Sequence, residues 1–268
     1  MEPAAIITLT TDFGLVDEYV GVLKGVLLSR APQARLVDIS HGVEPQGIAQ
    51  ASMLLAAAAP YFPAGTIHLA VVDPGVGTSR QLIALRADGQ FLVGPDNGIF
   101  TPFLENAEAV VIDSSRHSLK PVSSTFHGRD ILAPAAAALA NAVPLLELGT
   151  TIPVETLTKL SPPLLQIDTI HGTITGAVML GDHFGNLTTN IHHRHLVARG
   201  QEPAGLRICL RGHQIDGLAA TYGERPAGTL LALINSRGYL ELAVAMGSAA
   251  RLTGAANGDQ VKVFLHPG

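Results

Sequence analysis

The chain is short of several residue types that define whole classes of protein. It has one cysteine, Cys209, and no tryptophan in 268 residues. A single thiol excludes an internal disulfide framework and any multi-cysteine metal site, and it suits a reducing cytoplasm. Charged residues make up only 15%, against a usual level of about 25%. Lys and Arg number 17 against 22 Asp and Glu, for a net charge of −5. We therefore expect neither a nucleic-acid nor an anionic-membrane partner, since both need a basic patch. Long apolar runs are also missing. The Ala-rich stretches around 47–79 and 131–146 are broken by Pro60, Pro63 and Pro74, and by Pro134 and Pro144. Each piece is too short to span a bilayer, which takes about 20 residues. No basic leader precedes the first apolar run, so no targeting segment is expected.

What the chain does have is apolar content, 47% of it. That suffices for a full core without staples. A chain this poor in charge is also expected to cover part of its surface with copies of itself.

The first half alternates strand and helix signals. Residues 6–9, 36–39, 66–72, 82–85, 91–93 and 109–112 read as strands. Helices are expected over 18–30, capped by Asp17, over 49–59, stopped by Pro60, and over 129–142, kinked at Pro134. This pattern predicts a layered α/β domain with a mainly parallel sheet. After a linker-like segment, 153–163, short β-type runs dominate, at 173–180, 206–210, 230–234, 239–245 and 260–265. Only 191–199 looks helical there. A smaller β domain, barrel or sandwich, follows from this spacing, with the boundary near 160–170.

Ligands of open α/β sheets bind beyond the carboxyl ends of the strands. Polar clusters concentrate at those places: Thr10 to Gly14, Asp38 to His41, Asp73 to Arg80, Gly94 to Gly98, and Phe126 to Asp130. Read singly, Asp12 is as well explained as a turn former, and Asp96-Asn97-Gly98 as a turn plus cap. Together they point to one site. Gly75-Val76-Gly77 begins like a dinucleotide fingerprint, but Arg80 stands at its sixth position, which excludes that reading. No G-x-S-x-G elbow or P-loop is present. His192-His193-Arg194-His195 lacks zinc spacing and reads as a solvated helix face, while Cys209 reads as an inert core thiol. In the β region, Asp182, Asn186, Ser236 and Arg237 offer a carboxylate for an ammonium and an arginine for a carboxylate.

The segments TTDFG, DEYVGVLKG, DISH, VVDPGVGTSR, GPDNG, TFHGRDI, GDHFGNLTTN and NSRGYLELA occur in this order across nearly the whole chain. On them, the sequence resembles the S-adenosyl-L-methionine hydroxide adenosyltransferase family, the adenosine-forming SAM hydrolases, which are related to fluorinase and chlorinase. The resemblance implies an α/β domain over 1–165 and a β-barrel domain over 166–268. It further implies a homotrimer in which the barrel completes the neighbouring subunit's site. The implied reaction is attack of water or hydroxide on ribose C5′ of S-adenosyl-L-methionine, giving adenosine and L-methionine. The family's catalytic triad falls on Asp73, Arg80 and His127. Asp12 matches the group that grips the ribose hydroxyls, and Phe126 a wall beside the reacting carbon. Asp182 and Ser236 match the groups holding the methionine amine and carboxylate, with Arg237 nearby, and Asn186 matches an adenine-reading position. No metal or cofactor is implied. The order Phe126-His127-Gly128 and the short segment between Arg80 and Gly94 favour hydroxide over halide. Halogenase-like substitution, and a non-catalytic adenosyl or nucleoside sensor, are the alternatives.

Overall fold

A computed structural model describes residues 4–161, 163–197 and 205–265. The chain divides into two compact units between Leu160 and Ser161. The linker-like stretch before this point is tied to unit one. Thr158 N donates to Asp96 Oδ1, and Leu160 N to Thr101 Oγ1, each at 2.9 Å.

Unit one contains, in chain order, β1 (Ile6–Thr11), α1 (Tyr19–Arg30), β2 (Arg35–Ser40), α2 (Ile48–Ala58), β3 (Ile67–Val71), β4 (Leu82–Ala87), β5 (Gln90–Pro95), β6 (Glu108–Ile112), α3 (Ala133–Ala140) and β7 (Gly149–Ile152). Its seven strands form one sheet in the order β2-β1-β3-β5-β4-β6-β7. Side chains alternate between its faces, as a pleated strand requires. Ile67, Leu69 and Val71 join Leu23 and Leu27 of α1 and the alanines of α3 in one core. Ala70 and Val72 join Ala51 and Leu55 of α2 in another on the opposite face.

The sheet is mixed rather than mainly parallel, which corrects the sequence reading. β2, β1, β3 and β5 pair in parallel. β4 is antiparallel to both β5 and β6, and β6 to β7. The reversal comes from Asp88-Gly89, whose φ values of 49° and 76° form a two-residue hairpin. It sets Leu82 opposite Pro95. Two smaller expectations also shift. Glu18, already helical in φ and ψ, holds the cap position of α1 without a side-chain bond, leaving Asp17 outside. Pro134 sits in the first turn of α3, where its missing N–H is harmless. The irregularity lies just before it, in a π turn over Gly128–Leu132.

Unit two contains β8 (Gln166–Asp168), β9 (Thr173–Gly181), β10 (Leu187–His192), α4 (His193–Val197), β11 (Arg207–Leu210), β12 (His213–Asp216), β13 (Leu230–Ile234), β14 (Tyr239–Val244), α5 (Ala249–Thr253) and β15 (Gln260–Phe264). The strands run β12-β11-β15-β9-β10-β14-β13, with β8 added on β9. All of these pairings are antiparallel. The sheet curls into a nearly closed barrel around Ile174, Val178, Leu187, Ile208, Leu240 and Val261. Past the end of β12, Ala219 N donates to Ala232 O of β13 at 2.8 Å. The expected helix at 191–199 is confined to α4 among the described residues; 198 and 199 lie outside them. Cys209 is half-buried on β11 rather than in the core. No helix among the described residues is long and apolar enough to cross a membrane.

Candidate active site

Unit one carries a cavity of about 300 Å³, lined among others by Asp12, Phe13, Gln46, Asp73, Phe126 and His127. Its position follows from topology. β1 and β3 are parallel neighbours, with Thr11 opposite Val71. Their carboxyl ends therefore deliver Asp12 and Asp73 to the same rim. Two glycines let the remaining parts close in. Gly77 has φ +81°, and a Cβ there would stand 2.5 Å from Ser124 O. A Cβ on Gly128 would stand 2.8 Å from Val71 Cγ1, so the π turn that follows His127 rests directly on the end of β3.

Asp73, Arg80 and His127 meet. Arg80 Nε donates to Asp73 Oδ1 at 2.7 Å and to Oδ2 at 3.0 Å, and Nη2 also donates to Oδ2. The pair is nearly dry, with side chains 6% and 11% exposed for Asp73 and Arg80, so its electrostatics are stronger than in water. Arg80 Nη2 lies 3.0 Å from His127 Nδ1. A guanidinium only donates, so Nδ1 accepts and the ring proton sits on Nε2. Burial and the Arg80 charge hold His127 below the ordinary histidine range, against the opposing pull of Asp73 and Asp130. His127 is thus a neutral imidazole with an Nε2–H donor.

The walls are equally defined. Asp12 Oδ2 accepts from Gln46 N at 2.9 Å. Phe126 meets Phe13 and Tyr19 edge-on, with centroids 5.7 and 5.5 Å away, and Arg129 Cζ lies 5.2 Å from its centroid. Buried Asp130 holds Arg129 through Nε at 2.7 Å and Nη2 at 2.9 Å, and accepts from Ser123 N at 2.8 Å. Two of the strand-end clusters serve the scaffold instead. His41 Nδ1 is 2.8 Å from Thr11 Oγ1, and its Nε2 is 3.1 Å from Asp38 Oδ1. Asp96 holds Thr158, and Asn97 Nδ2 donates to Val72 O at 2.8 Å, anchoring the backbone just ahead of Asp73.

Unit two has its own cavity, about 570 Å³, lined by Asp182, Phe184, Asn186, Tyr222, Val244, Met246 and Gly247. The loop between β9 and β10 closes on itself. Asn186 N donates to Asp182 Oδ1 at 2.8 Å, and Asn186 Nδ2 to Oδ2 at 3.0 Å. Ser236 and Arg237 do not line this cavity. They sit on the β13–β14 turn, at the other end of the β10–β14 pairing from Asn186. Ser236 is exposed. Arg237 Nη2 reaches back to Thr188 Oγ1 at 3.1 Å. The expected clamp of four residues is therefore two pairs within this unit. Sequence reasoning missed Gln46, Phe13 and Tyr222. Tyr222 lies in a stretch with no motif, and burial, Glu241 and Asp182 push its phenol up to about 12.

The sequence matches the N-terminal domain of the SAM hydroxide adenosyltransferase family over residues 7–149 and its C-terminal domain over 176–262. The chain belongs to that family. Among its relatives, the (R)-S-adenosyl-L-methionine hydrolase of Salinispora arenicola is 40% identical, over 96% of this chain and 97% of its own. The protein of the same name from Thermus thermophilus is also 40% identical, covering 95% and 97%. A fluorinase from Actinoplanes stands further off, at 28% identity over 89% and 90%. The crystal structure of an uncharacterized conserved protein from Thermotoga maritima superposes with a TM-score of 0.89 at 34% identity, over 96% of this chain and 99% of that one.

Proposed function

We propose that this member of the family hydrolyses S-adenosyl-L-methionine, with water as nucleophile, to adenosine and L-methionine. The observation that carries the reading is the Asp73–Arg80–His127 cluster on the cavity beside Asp12 and Phe126. In the reaction the water oxygen forms a bond to ribose C5′. The C5′–S bond breaks, and its electron pair stays on sulfur as a neutral thioether. No general acid is required, because the leaving group departs without taking a proton. The water proton must leave. His127 Nε2–H points the oxygen, Arg80 favours hydroxide character, and Asp73 takes the proton. Positioning the nucleophile about 3–3.5 Å from carbon, in line with the departing sulfur, contributes to the acceleration. The chemistry needs no cofactor or metal, because the sulfonium is its own leaving group.

Asp12 holds the ribose hydroxyls and Phe126 walls the reacting carbon. Asn186, with Tyr222 beside it, takes the adenine. Ser236 and Arg237 take the carboxylate of the amino-acid end, whereas Asp182, bonded to Asn186 on the cavity wall, stays with the adenine group. The protein acts as a homotrimer, in which the barrel of one copy covers the unit-one cavity of the next. Exposed apolar side chains near both cavities support this. Phe184 and Met246 are 74% and 96% exposed, and Leu15 and Val16, just after Phe13, 76% and 98%. A cytoplasmic location fits the single thiol.

The test is incubation with S-adenosyl-L-methionine, with and without chloride or fluoride. Adenosine and methionine in equal amounts, independent of halide, are expected. Formation of 5′-halo-5′-deoxyadenosine would overturn the choice of nucleophile. Tight binding without product over many hours would make the protein a sensor.

A further inference from the structure

Unit two buries an acid that the proposed reaction does not use. Glu241 of β14 is 5% exposed and stands opposite Thr188 of β10. Its carboxylate accepts three hydrogen bonds, all from neutral groups. Tyr222 Oη donates to Oε1 at 2.7 Å, while Thr188 Oγ1 and Asn235 Nδ2 donate to Oε2 at 3.2 and 3.0 Å. Thr188 is saturated too. It donates to Glu241 and accepts from Asn235 Nδ2 at 3.3 Å and Arg237 Nη2 at 3.1 Å. That fills the one donor and two acceptor places of a hydroxyl. The direction of donation is therefore fixed, from Arg237 through Thr188 to Glu241.

The donors lead to separate places. Tyr222 is a wall of the 570 Å³ cavity that contains Asn186. Asn235 and Arg237 belong to the turn at the far end of the β10–β14 pairing. We propose that Glu241 is a positioning residue that orients Tyr222 and Arg237 together, fixing the spacing between the adenine wall and the carboxylate-binding turn. The inference rests on the assignment of those two places to the two ends of S-adenosyl-L-methionine. Burying a carboxylate is unfavourable unless its acceptors are filled. Three neutral donors fill those acceptors and hold the side chain in one geometry. The raised Tyr222 phenol is consistent with the carboxylate beside it.

The test uses the full chain and the two products as separate probes. Glu241→Gln puts an NH₂ against one set of donors while keeping size. It is expected to raise the Kd of both adenosine and L-methionine, each about tenfold. Tyr222→Phe should weaken adenosine alone, and Thr188→Val methionine alone. A purely structural role lowers the melting temperature and leaves both Kd values unchanged, and this result overturns the proposal. So does a Glu241→Gln effect on one ligand only. A readout without ligand separates the coupling from the functional reading. The four tyrosines titrate by ultraviolet absorbance, and the Tyr222→Phe difference isolates Tyr222. Glu241→Gln should bring its titration down from about 12; an unmoved titration overturns the coupling. A wild-type protein that binds neither product overturns the substrate assignment, and with it the role given to Glu241, whatever Tyr222 does.

Discussion

Replacing Arg80 with lysine isolates what the guanidinium does beyond carrying charge. Arg80 spans two partners: Nε and Nη2 hold Asp73, and Nη2 reaches His127 Nδ1 at 3.0 Å. An ammonium is a point donor and cannot hold a fork and a third group at once. Arg80→Lys therefore keeps one contact to Asp73 and loses both the second arm and the bond to His127. Hydrogen bonds to charged groups are worth about 1.5–3 kcal/mol each. Losing two at the lower end of that range amounts to about 3 kcal/mol, or roughly a hundredfold in kcat. The pH profile should move as well. Burial and Arg80 hold His127 below the ordinary range, and its protonation would set Nδ1–H against a donor. Activity should thus persist below pH 6.5 and fail as pH drops through the lowered histidine value. In the lysine variant Nδ1 loses the donor that favours the neutral ring, so the acid limb should shift upward even though burial and a positive charge remain. The assay is chromatographic measurement of adenosine release between pH 4.5 and 8. A kcat within threefold of wild type, with an unmoved acid limb, would refute both the tautomer and the role of the fork.

Gly77→Ala should reduce kcat and lower the melting temperature, since its Cβ would stand 2.5 Å from Ser124 O at φ +81°; strain of this kind costs about 1–3 kcal/mol. Gly89→Ala is the control. Its φ is +76° but its Cβ would only touch Ala64 at 3.6 Å, so a loss of about 1 kcal/mol in stability with unchanged kcat is expected from thermal melts and rates together. Buried His68, with Nδ1 2.7 Å from Thr8 Oγ1, is held below its reference value of 6.5 by burial. Its contribution to stability is present above the unfolded value and lost as pH falls toward the folded one, at up to about 1.4 kcal/mol per pH unit. Denaturant melts of wild type against His68→Gln from pH 7.5 to 5 should show the slope shrink in the variant; equal slopes would rule His68 out. Asp12→Asn should raise KM for S-adenosyl-L-methionine about tenfold with little change in kcat, as expected for a group that holds ribose rather than the reacting atoms.

The strand-end rule pointed to one cavity because Asp12 and Asp73 leave neighbouring parallel strands and His127 opens a helix on the same rim. The strands of unit one were readable as apolar runs, and so were most of the long ones in unit two. Direction was not. Hydrophobic period says nothing of whether a strand points up or down, and the one local cue, Asp88-Gly89 between two runs, is what reversed β4. The short β7 and β12, and the five-residue α5, carry too few residues for a period to show. β10 was hidden because its threonines and asparagine read as loop chemistry while their hydroxyls and amide in fact bond to the neighbouring strands β9 and β14. Tyr222 and Glu241 were invisible for a different reason. Their partners lie 19 and 53 positions away along the chain, and no short pattern encodes such pairings.

That reversed strand decides where an arginine can be. The excursion from Asp73 to Arg80 departs at the carboxyl end of β3 and re-enters at Leu82, which faces Pro95 at the carboxyl end of β5. Departure and return share one edge of the sheet. Had β4 run parallel, its first residue would lie at the opposite edge, a strand length away, roughly 20 Å for six residues. No arginine side chain bridges that gap. Chemistry at this carboxylate depends on a tight turn at the opposite edge of the sheet.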